Sequence, residues 1–481
     1  MGKIEITKKD ILWGYAGQFF MIGSGLFTLP VILRMLTSEE IGMNYLMLTV
    51  STMVSLLDFG FSSQFGLNFT LVHSGAQRLL KEGVEHRKDV TVNYHLLSVL
   101  IKTAKMVYHR LSILCAAIML TAGTAYIYNV TEGFTNVNHS LGIWILFTVS
   151  TYFNIYFTYY SSLLRGVGYI AQISKAEILS KSTYIIICIS LLYCNIGLLA
   201  VVIANFISPF VQRWYCYRSY YTDEIKEKLS QNIDKSEIRE TFNTIWYNAK
   251  RRGVNMLGSY MVNKSSMFII GFFLPLSVIG SYGLLLQLTS ILGGISQALF
   301  NIYYPKFANL RVEGKTDELL RLMASTIQLS LIVMITGSLV IIYCAPPILE
   351  LVGSRTHLPS LLVCSIYCIS ITLEGNHSLF SMLISSNNEV PYVKSSLLSG
   401  GAIILFTVAV LYFTKFELLG VVLVPFVVQA AYNNWRWPKW ILDEFHVSYP
   451  KFVYLGTAEI VKGGNRILSY VENKSWTRSG L

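Results

Sequence analysis

The stretch 55–69 reads SLLDFGFSSQFGLNF and sets Asp58, Gln64 and Asn68 inside an apolar run from Ile41 to about Val72. A carboxylate in hydrocarbon costs at least ~2.5–3.5 kcal/mol, so Asp58 is expected to face a partner or a wet cavity. On one continuous helix, Ser55, Asp58, Ser62, Gly66 and Asn68 share a single sector, as in a helix that lines water. The alternative for Asp58 is structural: it caps a helix break at Phe59-Gly60 or pairs with one basic residue. Lys264, in VNKSSMFIIGFF, is the one basic residue placed inside an apolar span. It can meet a diphosphate as a point charge, snorkel to an interface, or neutralise Asp58. Arg34 closes the first apolar run and either guides an anion or anchors the helix end.

In ITLEGNHSLF, Glu374, Asn376 and His377 interrupt another apolar run. Glu-x-x-His is half of a di-iron arrangement, but no second copy lies in any span, so no metal site is expected. A Glu/His pair changes charge near neutral pH and suits ion coupling, with H+ or Na+ as the ion; plain cavity polarity is the other use. Glu374, His377 and Asp58 are the coupling candidates, and no other cofactor is implied. Gln18, Asn68, Asn154, Asn263, Gln287 and Gln297 can hydrogen-bond sugar hydroxyls or simply neighbouring helices. Tyr152, Tyr156, Tyr159 and Tyr160 with Arg165 form an aromatic end to one span, either an interface belt or a stacking platform.

The elements that hold these residues follow from composition. The chain is 53% hydrophobic and 14% charged, against roughly 25% charged in soluble domains. Its mean hydropathy is +0.50. This is a polytopic helical membrane protein; no alternating ten-residue pattern suggests a β-barrel. The net charge of +11 does not point to nucleic acid, because the bases sit between apolar runs and not in one stripe. The seven cysteines have neither CxxC nor zinc spacing and read as small buried hydrophobes. The N-terminal MGKIEITKKD leads into roughly 25 apolar residues, longer than a cleaved signal core, and is read as a retained first span.

About 20 residues of helix cross the hydrocarbon. Twelve candidates emerge: 11–35, 41–72, 107–129, 141–164, 177–194, 197–217, 253–274, 278–303, 323–346, 360–384, 395–414 and 417–435. With both termini in the cytoplasm, all but four of the 38 basic residues fall inside; the exceptions are Arg34, Lys264, Arg355 and Lys415. Outside loops are all short, so the work is done in the membrane or at its faces. The chain also repeats itself: LTSEEIGMNYLMLTVSTM (36–53) aligns with LPLSVIGSYGLLLQLTSI (274–291), matching Ile41 and Gly42 to Ile279 and Gly280. The expected organisation is all-α, with about twelve spans in two six-helix lobes. These are 1–217 and 241–437, joined by a charged cytoplasmic linker, 218–240. A cytoplasmic tail, 438–481, contains an amphipathic segment at 456–471. Parallel repeats of this kind place a substrate site between lobes.

Residues 14–69 resemble the first two helices of the Wzx-type polysaccharide-unit flippases, within the MOP group that includes MATE exporters and the lipid II flippase. ILRMLTSEEIGMNYL is similar to that family's R-x-L-G/T-x-E-x-G-x-Y turn, and LLDFGF to its LDFGL. MVNKSSMFIIGFFLPLSVIGSYGLLLQL resembles the matching pair in the second half, with Lys264 departing from the acidic or polar residue common there. The resemblance implies export of undecaprenyl-diphosphate-linked oligosaccharide across a bacterial inner membrane for O-antigen, capsule or exopolysaccharide synthesis. It further implies a monomer that contacts polysaccharide assembly proteins; the residue reading itself puts the candidate substrate contacts at Asp58, Lys264, Arg34, Gln18, Asn68, Asn154, Asn263, Gln287 and Arg165. A polar, positively biased cavity between rocking lobes suffices, and no covalent step is needed. The alternatives are a cation-coupled drug exporter of the same fold, a membrane glycosyltransferase or polymerase, and a channel or scaffold.

Overall fold

A computed structural model describes residues 8–81, 91–229, 232–385 and 391–476. All regular structure among them is helical. The chain folds as two compact units, Met1–Ser281 with Leu351–His357, and Tyr282–Glu350 with Leu358–Leu481. Nine helices among the described residues are long and apolar enough to cross a membrane.

The first unit contains α1 (Lys8–Met35), α2 (Ser38–Ser55), α3 (Phe61–His73), α4 (Tyr94–Ile118), α5 (Thr124–Val130), α6 (Ser140–Gly166), α7 (Ile170–Tyr193) and α8 (Leu198–Tyr220). It also holds α9 (Asp223–Leu229), α10 (Lys235–Asn263) and α11 (Ser265–Ile270). α1 packs on α7, α7 on α8, α8 on α6, and α6 on α3 and α4. The core is aromatic: Phe61, Phe65, Phe69, Tyr108, Leu163 and Leu164 meet in one cluster.

Two expected spans are broken. The run 41–72 is not one helix. α2 ends at Ser55, a short 3-10 turn spans Leu56–Asp58, and Phe59 and Gly60 take left-handed backbone at φ 44° and 77° before α3 begins. The polar sector from Ser55 to Asn68 is therefore not one continuous stripe. Positive φ is costly for phenylalanine; the Phe59 ring is wedged against Gly253 of α10 and packs edge-on to Trp246, 6.1 Å away. α10 thus holds the break from outside. The run 253–274 is likewise divided: α10 stops at Asn263, and Lys264 turns the chain into α11. Residues 218–240 are largely helical, supplying α9 and the capped start of α10, where Asp234 and Glu237 form a reciprocal capping box.

α12 (Leu276–Val312) begins in the first unit and continues through the second, which adds α13 (Thr316–Val352), α14 (Leu361–Ser385), α15 (Val393–Phe413), α16 (Glu417–Ala431), α17 (Asn433–Glu444) and α18 (Tyr449–Trp476). α14 is a 25-residue helix outside the nine, because Glu374, Asn376 and His377 lower its hydropathy. Phe300, Phe307, Met323, Phe380, Trp437 and Phe452 form the core. α18 contains the segment 456–471 expected to be amphipathic; ahead of that segment it sends Phe452 into the core, and Gly456 at its start lies against Ala324 and Gln328 of α13.

Candidate functional site

Asp58 is fixed by the helix break. Its Oδ2 accepts a hydrogen bond from the Ser62 amide at 3.2 Å, closing the first turn of α3, where a carboxylate also complements the helix dipole. Its Oδ1 is buried without a hydrogen-bond partner, as is the Tyr108 hydroxyl. The two groups are close enough to act on each other electrostatically. Capping is thus the role the geometry displays. Asn68 is buried and turns back on its own helix, donating to the Gln64 carbonyl at 2.8 Å.

Below the break, α3 and α6 cross closely. A β-carbon at Gly166 would collide with Phe69 and stand 2.7 Å from the Gly66 carbonyl, so only glycine permits this approach. Beside the crossing lies a pocket of about 410 Å³, lined by Ser62, Ser63, Thr70, Thr158, Ser161, Ser162 and Arg165 among others. Most of these hydroxyls donate to backbone carbonyls: Ser63 to Gly60 at 3.0 Å, Thr70 to Gly66 at 3.1 Å, Thr158 to Asn154 at 3.1 Å and Ser162 to Ser62 at 3.0 Å. Their protons are spent, so they offer lone pairs, which suit a ligand rich in hydroxyl donors. Arg165 is exposed at the pocket and pairs with Glu177 at 3.0 Å. Thr158 and Ser161 also line a smaller hollow of about 160 Å³ with Asn154, Gln212 and Arg213. Arg165 and Asn154, both expected site residues, therefore flank adjoining polar hollows. Another hollow of this unit, of about 510 Å³, includes Glu39 and Glu132, which would repel an anion.

The remaining candidates are dispersed. Arg34 is exposed in the last turn of α1. Next to it, Leu33 accepts from the Arg355 amide at 3.0 Å and Ser38 Oγ donates to the Arg355 carbonyl at 2.7 Å. Asn263 is exposed and donates to the Ser259 carbonyl at 3.0 Å, and Lys264 is exposed at the α10–α11 junction. Gln18 lies on α1, its side chain outside those described. Gln287 and Gln297 lie half-buried on α12.

In the second unit, the Glu374 side chain nucleates a network the sequence reading missed. Gln429 Nε2 donates to Glu374 Oε2 at 3.0 Å, and Asn433 Nδ2 donates to Gln429 Oε1 at 2.6 Å. Asn433 also reaches Ser399 Oγ at 2.8 Å and accepts from Trp437 Nε1 at 3.1 Å. His377 Nδ1 stands 3.3 Å from Glu374 Oε1, yet neither ring nitrogen completes a hydrogen bond. The Gln429–Asn433 spacing of four, just after an apolar run, was the available signal.

The T-S-E-E turn is also explained. Glu40 Oε2 accepts from the Thr37 amide at 2.9 Å while Thr37 caps α2, and Glu40 Oε1 accepts from the Leu198 amide at 3.0 Å, tying α2 to α8.

No family profile matches the chain, and no curated protein matches it. Solved structures share the fold. "Lipid II flippase MurJ, inward closed conformation" superposes with a TM-score of 0.65 at 13% identity, over 94% of this chain and 91% of that one. An inward-facing multidrug resistance MATE family transporter of the MOP superfamily gives 0.61 at 12%, over 88% and 95%. The chain therefore shares the all-helical fold of these two solved structures.

Proposed function

We propose that the chain is an exporter that carries a polyprenyl-diphosphate-linked oligosaccharide from one leaflet to the other by alternating access. The observation that carries this reading is the hydroxyl-lined pocket of about 410 Å³ with Arg165 at its wall. Acceptor oxygens bind sugar hydroxyls, and a guanidinium that exchanges Glu177 for phosphate can bind the diphosphate. The lipid tail stays in hydrocarbon, so only the head needs a polar route. The likeness in fold to a lipid II flippase supports the same class of cargo.

In this reading the two six-helix lobes, 1–217 and 241–437, rock against each other in a bacterial inner membrane with both termini cytoplasmic. The cargo is a surface-polysaccharide repeat unit of the O-antigen, capsule or exopolysaccharide kind, as for Wzx-type flippases. Glu374, with His377 and the Gln429–Asn433 network, is the site where a coupling H+ or Na+ acts.

A second reading has its own support. An apolar hollow of about 170 Å³ between Met53, Leu57, Ile118, Tyr126 and Phe268 suits a small lipophilic molecule, and the MATE likeness fits an exporter of such compounds. Loss of the gene in its own host separates the two. Lipid-linked repeat units trapped on the cytoplasmic leaflet support the flippase; normal glycan with altered drug sensitivity supports the second reading and overturns the first.

A further inference from the structure

Lys102 and Lys105 of α4 and Arg213 of α8 converge on a tyrosine-rich side of α6. Lys105 Nζ lies 5.8 Å from the Tyr159 ring centre and 5.7 Å from that of Tyr221. The Arg213 guanidinium lies 5.0 Å from the Phe157 ring. The charges of Arg213 and Lys102 both act on Lys105, and among the described residues no carboxylate offsets them there. Of the acids on the neighbouring elements, Glu177 of α7 pairs with Arg165 and Glu237 of α10 with His95. One turn on from Lys105, His109 shares a 3.1 Å hydrogen bond with the Tyr152 hydroxyl and meets Tyr156 edge-on. The Tyr221 hydroxyl is buried without a partner.

An ordinary interface belt spreads its cations so that each reaches water alone. Here three are drawn together, which repels unless an anion joins them. The depth is that of headgroups: Lys102 and Lys105 just precede the apolar run 107–129, and Arg213 sits near the end of 197–217. Trp214 and Tyr217, on the same stretch of α8, are 59% and 42% exposed, as rings that face lipid at the headgroup level are.

We propose that this cluster is a headgroup site for an anionic phospholipid of the adjacent leaflet, with the cations on the phosphate and the tyrosine hydroxyls on its free oxygens. The site does not rest on the proposed cargo, although Arg213 also lines the hollow beside Asn154.

The test uses the purified full chain in neutral detergent, titrated with short-chain phosphatidylglycerol, short-chain phosphatidylcholine and inorganic pyrophosphate. Affinity for phosphatidylglycerol is expected to fall about fivefold per cation removed, so about 25-fold in Lys105→Gln/Arg213→Gln. Lys226→Gln/Lys228→Gln, which removes exposed lysines already paired with Asp223 and Glu224, is expected to bind as the unaltered protein does. Should the double variant fail to fold, Lys102→Gln at an exposed position carries the test, with about a fivefold loss. Unchanged phosphatidylglycerol affinity in the variants overturns the proposal. So does equal binding of phosphatidylcholine, and so does pyrophosphate that competes as strongly as the lipid binds.

Discussion

Gly42 and Gly280, matching residues of the internal repeat, pack against one another where α2 crosses the start of α12. A β-carbon on Gly280 would stand 3.2 Å from the Gly42 nitrogen and 2.8 Å from the Ser38 carbonyl, and one on Gly42 would overlap the Leu276 carbonyl. Backbones this close allow no side chain. Gly42→Val and Gly280→Ala should each destabilise the fold by about 1–3 kcal/mol through overpacking. Gly142→Ala, on an open helical face, should leave the thermal midpoint unchanged or slightly raised. Thermal unfolding in detergent checks all three.

Arg165 should separate function from stability. Its ion pair with Glu177 is exposed, and such pairs contribute about 0–1 kcal/mol. Arg165→Ala is therefore expected to keep the thermal midpoint yet lower glycan export, read as surface polysaccharide per cell at matched protein level. Glu177→Gln should preserve export, since it frees the guanidinium.

Much of this was legible in the sequence. Apolar runs gave the helical membrane class, and the repeat pairs Gly42 with Gly280, though nothing in the alignment said that the two would meet. Arg165 and Asn154 were chosen for residue type and do flank polar hollows. What failed was continuity: the run 41–72, apolar enough for one span, is broken at Phe59-Gly60, which the residue types offered only as the alternative role of Asp58, because hydropathy carries no backbone dihedral. Apart from Ser62, the pocket hydroxyls escaped notice because serine and threonine in apolar helices commonly bond their own backbone. The partners of Glu374 escaped because Gln429 and Asn433 come from helices 55 or more positions away, and proximity across helices leaves no mark in a single sequence.

Glu374 should matter to transport more than to folding. Glu374→Gln keeps a partner for Gln429 but removes the charge, and is expected to cut coupled export by about tenfold, within the usual range of site-to-site coupling. Gln429→Leu leaves the carboxylate without that donor and should cost about 1–3 kcal/mol of stability. Export rate against imposed ion gradients, with unfolding in parallel, distinguishes the two effects.

The start of α10 should be acid-sensitive. A hydrogen bond from His95, then the Asp234 amide, holds the Glu237 carboxyl below its ordinary range. A lowered folded pKa gives stabilisation that is full above the unfolded value, about 4.3, and is lost as pH falls through the folded one. Protection of the amides at residues 235–240, corrected for the intrinsic exchange rate, is expected to fall below about pH 4. Glu237→Gln should weaken that dependence, leaving the part carried by the Asp234 cap, whose carboxyl is also held low by its bonds to Ser236.

The most direct measurement is translocation itself. Proteoliposomes holding the purified chain and a polyprenyl-diphosphate oligosaccharide are probed with a membrane-impermeant enzyme that modifies only sugars on the outer leaflet. The expected result is that sugar starting inside becomes modifiable with the unaltered chain and much more slowly with Arg165→Ala. Equal rates in protein-free vesicles, or an Arg165→Ala chain that moves the lipid as fast as the unaltered one, would contradict the hydroxyl-lined pocket as the route.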